Sequence, residues 1–345
     1  MISIHSNISL SDRHTFRLPA TTCAWADIPN EAALQDFRKQ EVVQSFIQQN
    51  LIMPLGSGSN VLFLNDYPGL ILHSSDQNIR WIAEDANSLS VVVGAGMNWD
   101  VLVDLTLQKG GFGLENLSSI PGTVGAAPIQ NIGAYGVEIK ESIKFVRWMD
   151  LLTGEVVNFS AAECEFGYRD SFFKRRKTPF YIVEVGFKLS KHFQPKLSYP
   201  DLASRVNTLE SVALVVTAYW VRTQVLDIRR LKLPDPTALP NAGSFFKNPI
   251  VDKECFQNWQ KKIPSIKAFE LSDGSYKVAA GWMLEFLGWK GRRSLTVGMH
   301  DQQALVLINH NDAKATDVEK WIHAIQSDVK RVFNCYLEIE PLLIK

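Results

Sequence analysis

The segment Ile120-Pro-Gly-Thr-Val-Gly-Ala-Ala-Pro-Ile-Gln-Asn-Ile-Gly-Ala-Tyr-Gly136 places four glycines, three alanines and two prolines in seventeen residues and stays apolar. A flexible linker is more polar than this, so the stretch is expected to lie against something close-packed. Two readings satisfy that requirement. Either the bare backbone is laid on a flat ligand, or small side chains let a neighbouring element approach a buried loop.

The rest of the chain supplies the frame. Its 345 residues, 46% of them apolar, suffice for a sizeable core and for about two domains of ordinary size. Lys232-Leu-Pro-Asp-Pro236, followed by Pro240, ends any preceding helix and marks a domain boundary. Before it, apolar runs such as Leu89 to Val93 and Phe180 to Phe187 alternate with glycine clusters and with a helical stretch from Asn98 to Gln108, which reads as α+β. After it, Thr316-Asp-Val-Glu319 has the form of a capping box, and Val318, Trp321, Ile322, Ile325, Val329, Val332 and Phe333 fall on one helical face. Cys335 to Glu340 then alternates and predicts a strand with Cys335, Leu337 and Ile339 inward. Glu338 and Glu340 share its other face, either simply solvated or available to a site.

Charge and cysteine usage exclude several classes. Thirty-six basic residues balance thirty-six acidic ones, so the net positive charge that drives nucleic-acid binding is lacking. Cys23, Cys164, Cys255 and Cys335 are widely spaced, with no metal-ligand pattern, which argues against a disulfide scaffold or a structural metal. The N-terminus does not read as a secretory signal, and the longest apolar run, Val212 to Val221, is about half of a membrane span. A cytoplasmic protein with no membrane anchor, no nucleic-acid partner and no metal is expected.

Three further segments carry candidate chemistry. Gly56-Ser-Gly-Ser-Asn60 sits between apolar runs, where it is either a structural turn or a row of N–H groups aimed at a phosphate; it has neither the lysine of a P-loop nor the GxGxxG spacing. Arg169 and Asp170 adjoin the basic run Lys174 to Lys177, as a surface ion pair or as an anion clamp. Asn241-Ala-Gly-Ser-Phe-Phe-Lys-Asn-Pro249 presents the Ser244 hydroxyl beside bulky apolar residues, to meet a ligand or to satisfy a turn.

Taken in order, GSGSNVLFL from Gly56, GLENLSSIPGTVGAAPIQNIGAYG from Gly113, FGYRDSFFK from Phe166, KLPDP from Lys232, NAGSFFKNP from Asn241 and HDQQALVLIN from His300 resemble the UDP-N-acetylenolpyruvylglucosamine reductase family of flavoenzymes, MurB. Leu197-Ser-Tyr-Pro-Asp201 resembles a substrate-covering loop of its type I branch.

The resemblance implies an FAD-binding fold of the vanillyl-alcohol-oxidase (PCMH) type plus a C-terminal α+β substrate-binding domain. The implied partition is FAD subdomains over 1–76 and 77–232, a substrate domain over 233–333, and a terminal strand over 334–345 returning toward the FAD domain. Non-covalent FAD, NADPH as co-substrate and a UDP-sugar substrate are implied, with the chain acting as a monomer. Gly56, Ser57, Gly58, Ser59 and Asn60 would hold the FAD pyrophosphate. Pro121, Gly122, Thr123, Val124, Gly125, Ala126, Ile129, Gly133, Ala134, Tyr135, Gly136 and Arg229 would line the remainder of the cofactor. Arg169, Ser244 and Glu340 would be catalytic, and Tyr199, Lys232, Asn248 and Gln303 would bind substrate.

The terminal motif departs from the family's usual Leu-Glu-Pro-Glu and reads Leu337-Glu-Ile-Glu-Pro341. Ungapped matching from Phe333 selects Glu340, with Glu338 as the fallback. Other readings are an FAD oxidase on the same fold and a flavin- or nucleotide-sugar-binding module without chemistry. The first leaves NAGSFFKNP and the acidic terminal segment unexplained; the second leaves Arg169, Ser244 and Glu340 unexplained.

Overall fold

The computed structural model describes residues 2–210 and 215–345, so the apolar run from Val212 begins outside the described residues. The architecture is α+β. Contacts divide the chain into two compact units, one of Met1–Ile8, Thr22–Ser57 and Pro68–Leu231, the other of Ser9–Thr21, Gly58–Tyr67 and Lys232–Lys345. The division thus runs between Ser57 and Gly58 inside the first glycine-rich loop.

In the first unit, an antiparallel five-stranded sheet has the order Val156–Ser160, Ile143–Asp150, Phe180–Ser190, Ser88–Gly94, Ile79–Glu84. Phe180–Ser190 is buried along most of its length, as a central strand should be, and Val91, Val93, Val185 and Phe187 pack into one core. The helix Trp99–Gln108 closes over that core with Trp99, Leu102 and Val103. Its start is set by Asn98, whose side chain accepts from Asp100 N and Val101 N, and Asp100 in its first turn complements the helix dipole. A second sheet contains Thr21–Ile28, Tyr67–Ser74 and Ile52–Leu55, the last two parallel, beneath the helices Glu31–Arg38 and Glu41–Gln48. Helix Ala218–Lys232 buries Val221, Val225 and Ile228 in a smaller cluster and stops at Lys232, where the proline-rich stretch begins.

The second unit contains two small antiparallel sheets. One orders Asn241–Ser244, Val306–Asn309 and Val297–Met299; the other orders Ile250–Val251, Tyr276–Val278 and Ala268–Glu270. Helix Ala315–Phe333 lays Val318, Ile322, Ile325, Val329 and Phe333 into their core, each burial contributing about 1.5–3 kcal/mol before chain entropy is subtracted.

Three sequence expectations are corrected. The capping box lies two residues earlier than Thr316–Glu319: Lys314 is the N-cap, and the Asp317 carboxylate accepts from Lys314 N. The helix begins two residues earlier, at Ala315, because Asp317 at its third position does what Glu319 was expected to do. Val332 also turns outward rather than joining the buried face. The expected strand Cys335–Glu340 is extended chain with one bridge, Phe246 to Ile339, and the terminal strand is Leu342–Ile344, parallel to Val61–Phe63. The alternation itself was informative: Leu337 is buried and Tyr336 and Glu338 are exposed, while half-buried Glu340 departs from the outward pattern.

Candidate functional site

Residues 123–126 hang by their backbone on the loop that follows strand Ser88–Gly94. Val124 N donates to Met97 O (2.9 Å), Gly125 N to Ala95 O (2.9 Å), and Trp99 N to Gly122 O (3.1 Å). A Cβ on Gly125 would lie 2.5 Å from Ala95 Cβ, and one on Gly56 would lie 2.8 Å from Thr123 Oγ1. Protein therefore stands where a side chain would at both positions: Ala95, backbone included, at Gly125, and the Thr123 and Ala126 side chains at Gly56. A narrow cleft results, lined by Gly56, Thr123, Gly125, Ala126, Ile129 and Tyr181.

The segment ends in a two-residue hairpin. Gly133 and Ala134 pair with Glu138 and Val137, leaving Tyr135 (φ 49°) and Gly136 (φ 83°) at the corner, both left-handed as a type I′ turn requires. Tyrosine is a costly residue there and is held by its surroundings. Asn116 Nδ2 donates to Tyr135 O (2.9 Å), the Tyr199 ring meets the Tyr135 ring edge-on at 5.1 Å, and the Tyr135 hydroxyl bonds Arg229. Burial, opposed in part by Arg229, pushes the Tyr135 hydroxyl up to about 12. Burial likewise lowers the Arg229 guanidinium from its ordinary value, against the Tyr135 bond and the Asp100 charge. Arg229 Nε is buried, and none of the described residues accepts from it.

Arg169, itself left-handed at φ 56°, donates from Nη2 to Gly133 O (3.0 Å) and lies over the Tyr168 ring. Asp170 forms its ion pair with Arg175, five residues on, so the basic run supplies Asp170 with a partner. The structure thus brings together Arg169, Gly133, Tyr135, Tyr199 and Arg229. Sequence reading did not single out the residues that fix this cluster. Asn131, fully buried, donates to Gly167 O (3.0 Å) and Glu138 Oε2 (3.0 Å) and accepts from Lys140 N (3.2 Å). Ser171 Oγ donates to Ile129 O (2.6 Å). A lone asparagine inside an otherwise small and apolar segment was the available signal for Asn131, and no comparable signal marked Ser171.

In the second unit, Gly58 (φ 64°) approaches the Arg13–His14 backbone so closely that any Cβ would collide with it, and Asn60 O accepts from Leu342 N (3.0 Å). Ser244 is half-buried at the end of its strand. The strand's register shifts between Asn241 and Ser244, with Gly243 left-handed (φ 71°), and such irregularities re-aim side chains. The terminal segment runs antiparallel beside it: Lys247 N donates to Glu338 O and Glu340 N to Phe245 O, both at 2.9 Å. Glu340 is thereby pinned next to the residue that follows Ser244. Glu338 is exposed and pairs with Lys247 Nζ at 2.8 Å, which gives both side chains an anchoring task. Asn248 Oδ1 accepts from Ala280 N (2.9 Å) at the start of helix Ala280–Phe286, and the Gln303 amide lies against Gly281 of the same helix. Lys232 is the last residue of helix Ala218–Lys232, one turn beyond Arg229.

An FAD fits what the first unit offers. A flat ring system suits a narrow apolar cleft, and an anionic cofactor suits a buried guanidinium with a donor to spare. Residues 40–160 match the family described as FAD binding domain, and residues 235–344 match UDP-N-acetylenolpyruvoylglucosamine reductase, C-terminal domain. The UDP-N-acetylenolpyruvoylglucosamine reductase of Burkholderia pseudomallei (strain 668) is 43% identical over 344 residues, covering 99% of this chain and 98% of that one. That of Burkholderia lata is 41% identical, covering 99% and 97%. The fold matches the crystal structure of UDP-N-acetylenolpyruvylglucosamine reductase (MurB) from Thermus caldophilus with a TM-score of 0.69 at 20% identity, over 100% of both chains. With its two matched domains and its full-length likeness, this chain belongs to the UDP-N-acetylenolpyruvoylglucosamine reductase family, MurB, and carries that family's FAD-binding domain.

Proposed function

We propose that this chain uses NADPH to reduce UDP-N-acetylglucosamine enolpyruvate to UDP-N-acetylmuramate, a step of peptidoglycan precursor synthesis in the cytoplasm. The observation that carries the reading is the buried Arg229, whose Nε has no acceptor among the described residues and which bonds the Tyr135 end of the glycine-rich segment. That segment lines a narrow cleft with Thr123, Gly125, Ala126 and Ile129 and lies in the matched FAD domain. When bound, FAD supplies a centre that takes a hydride from NADPH and passes it to the enolpyruvyl double bond.

Every other part of the chemistry falls to protein groups. The backbone N–H groups of residues 56–60 bind pyrophosphate, and Pro121 to Ala126, Ile129, Gly133 to Gly136 and Arg229 hold the remainder of the cofactor. Lys232 and Tyr199 bind the substrate diphosphate, the one by charge and the other by hydroxyl donation, while Asn248 and Gln303 bind the sugar nucleotide. Reduction at the β-carbon leaves negative charge on the conjugated substrate carboxylate. Arg169 meets that charge with a fixed cation, and loss of one such contact costs about 3 kcal/mol of barrier. Its bond to Gly133 O orients the guanidinium before substrate arrives. Ser244 donates the proton to the α-carbon, and Glu340 hydrogen-bonds the intermediate in its protonated form, since a second bare negative charge would oppose the step.

The test is product identity. NADPH consumption must depend on the enolpyruvyl sugar, and the product must be heavier by two hydrogens. Ser244→Ala should leave reduction by NADPH intact and slow the substrate half-reaction by about 10²-fold or more, as loss of a general acid does. Consumption of NADPH with no saturated product would refute the reading, and equal slowing of both halves would make Ser244 structural.

A further inference from the structure

Helix Ala218–Lys232 presents Arg222 and Arg229 seven residues apart, so both lie on one side of the helix, near its buried Val221, Val225 and Ile228. Arg229 reaches the Tyr135 end of the glycine-rich segment. Arg222 reaches the other end through a carboxylate. Its Nη1 and Nη2 grip Asp100 Oδ1 and Oδ2 at 2.7 and 3.0 Å, and its Nε lies 3.5 Å from Asp104. Asp100 Oδ1 also accepts from Ser119 N at 2.6 Å. Ser119 is left-handed (φ 59°) and stands just before Ile120-Pro121-Gly122, so a single carboxylate fixes a strained residue at the head of the segment. The fork is mostly shielded: the Arg222 side chain is 12% exposed.

Asp100 is also a counter-charge for Arg229. Burial opposes its ionisation, but the Arg222 and Ser119 hydrogen bonds and the charges of both arginines outweigh that and hold the carboxyl below the usual range. A bidentate fork between two rigid helices gives direction as well as charge. Arg222 lies outside the residues that match the FAD domain, 40–160, yet it tethers them.

We propose that Asp100 and Arg222 are positioning residues for the cofactor. Their ion pair clamps helix Ala218–Lys232 to the head of the glycine-rich segment and so sets where Arg229 and the Ser119–Gly122 backbone stand. The inference rests on the flavin reading above, with FAD as the probe. Apo-protein is titrated with FAD by flavin fluorescence, and the visible spectrum of each holo-protein is recorded. Arg222→Gln and Asp100→Ala should each weaken FAD at least fivefold and shift the bound-flavin band. Arg222→Lys, which keeps charge but loses the fork, should restore less than half of the loss on a logarithmic scale. The double variant should fall within twofold of the weaker single, because both remove one clamp. Gln224→Ala, on the same helix but bonded to Arg205, should stay within twofold of wild type.

Fivefold loss with an unshifted spectrum in Gln224→Ala as well would reduce the pair to general helix packing and overturn the proposal. So would wild-type affinity and spectrum in Arg222→Gln and Asp100→Ala. Failure of wild type itself to bind FAD would overturn the flavin reading and this inference with it.

Discussion

Asn131 offers the sharpest stability test because one buried side chain joins three parts of the site. Its amide bonds Gly167 O, Glu138 Oε2 and Lys140 N, and its backbone sits at φ 46°, where asparagine is tolerated better than other residues with a Cβ. Asn131→Ala removes three hydrogen bonds, each worth about 1 kcal/mol net, and adds about 1 kcal/mol for alanine in the left-handed region. The expected loss is about 3–4 kcal/mol. Asn131→Gly loses the same bonds without the backbone strain, so it should be about 1 kcal/mol less damaging. Urea unfolding of the three proteins under identical conditions measures both differences. Because Gly167 lies two residues before Arg169, the alanine variant should also lower turnover more than it weakens substrate binding. A loss under about 1 kcal/mol for Asn131→Ala would refute the account of this anchor, and so would greater damage from glycine than from alanine.

Two further outcomes follow from burial. His14 is buried against Phe63 with Nε2 3.1 Å from Leu18 O and Nδ1 unpartnered among the described residues, and burial lowers its pKa from 6.5. Its folded value lies below its unfolded one, so the unfolded chain binds the proton first: the stability is fully present above about pH 6.5 and declines as the pH falls. Urea midpoints measured from about pH 7.5 down to pH 5.5 should fall, and less steeply in His14→Asn; a midpoint that rises on acidification would contradict this. Burial pushes the Cys164 thiol up to about 12, whereas Cys23 is exposed. A thiol-disulfide reagent at mildly alkaline pH should therefore label Cys23 quickly and Cys164 only on unfolding, as peptide mapping would reveal.

Local features of the sequence translated well into structure. Asn98 capped its helix, the apolar runs became strands, and the prolines after Lys232 ended a helix. These outcomes depend on residues within a turn or two of one another. What was not legible depends on distant partners. Asp100 and Arg222 meet across 122 positions, and nothing in either neighbourhood names the other. Asp170 pairs with Arg175 rather than showing its purpose through adjacent Arg169. The terminal strand begins at Leu342 because Val61–Phe63 is there to pair with it, which no alternation in Cys335 to Glu340 can disclose.

The glycines show a subtler limit. Small residues at Gly56 and Gly125 suggested room for a cofactor, whereas the atoms nearest their missing side chains are Thr123 and Ala95. At these two positions the packing reading holds, since protein stands where a side chain would, and Gly56, Thr123, Gly125, Ala126 and Ile129 also line a narrow cleft.

The most direct test of the central claim is an anaerobic titration of the purified holo-protein. The account predicts a visible flavin band that bleaches with one equivalent of NADPH and returns on addition of UDP-N-acetylglucosamine enolpyruvate, with UDP-N-acetylmuramate formed in equal amount. A band that bleaches but recovers only when oxygen is admitted would contradict it.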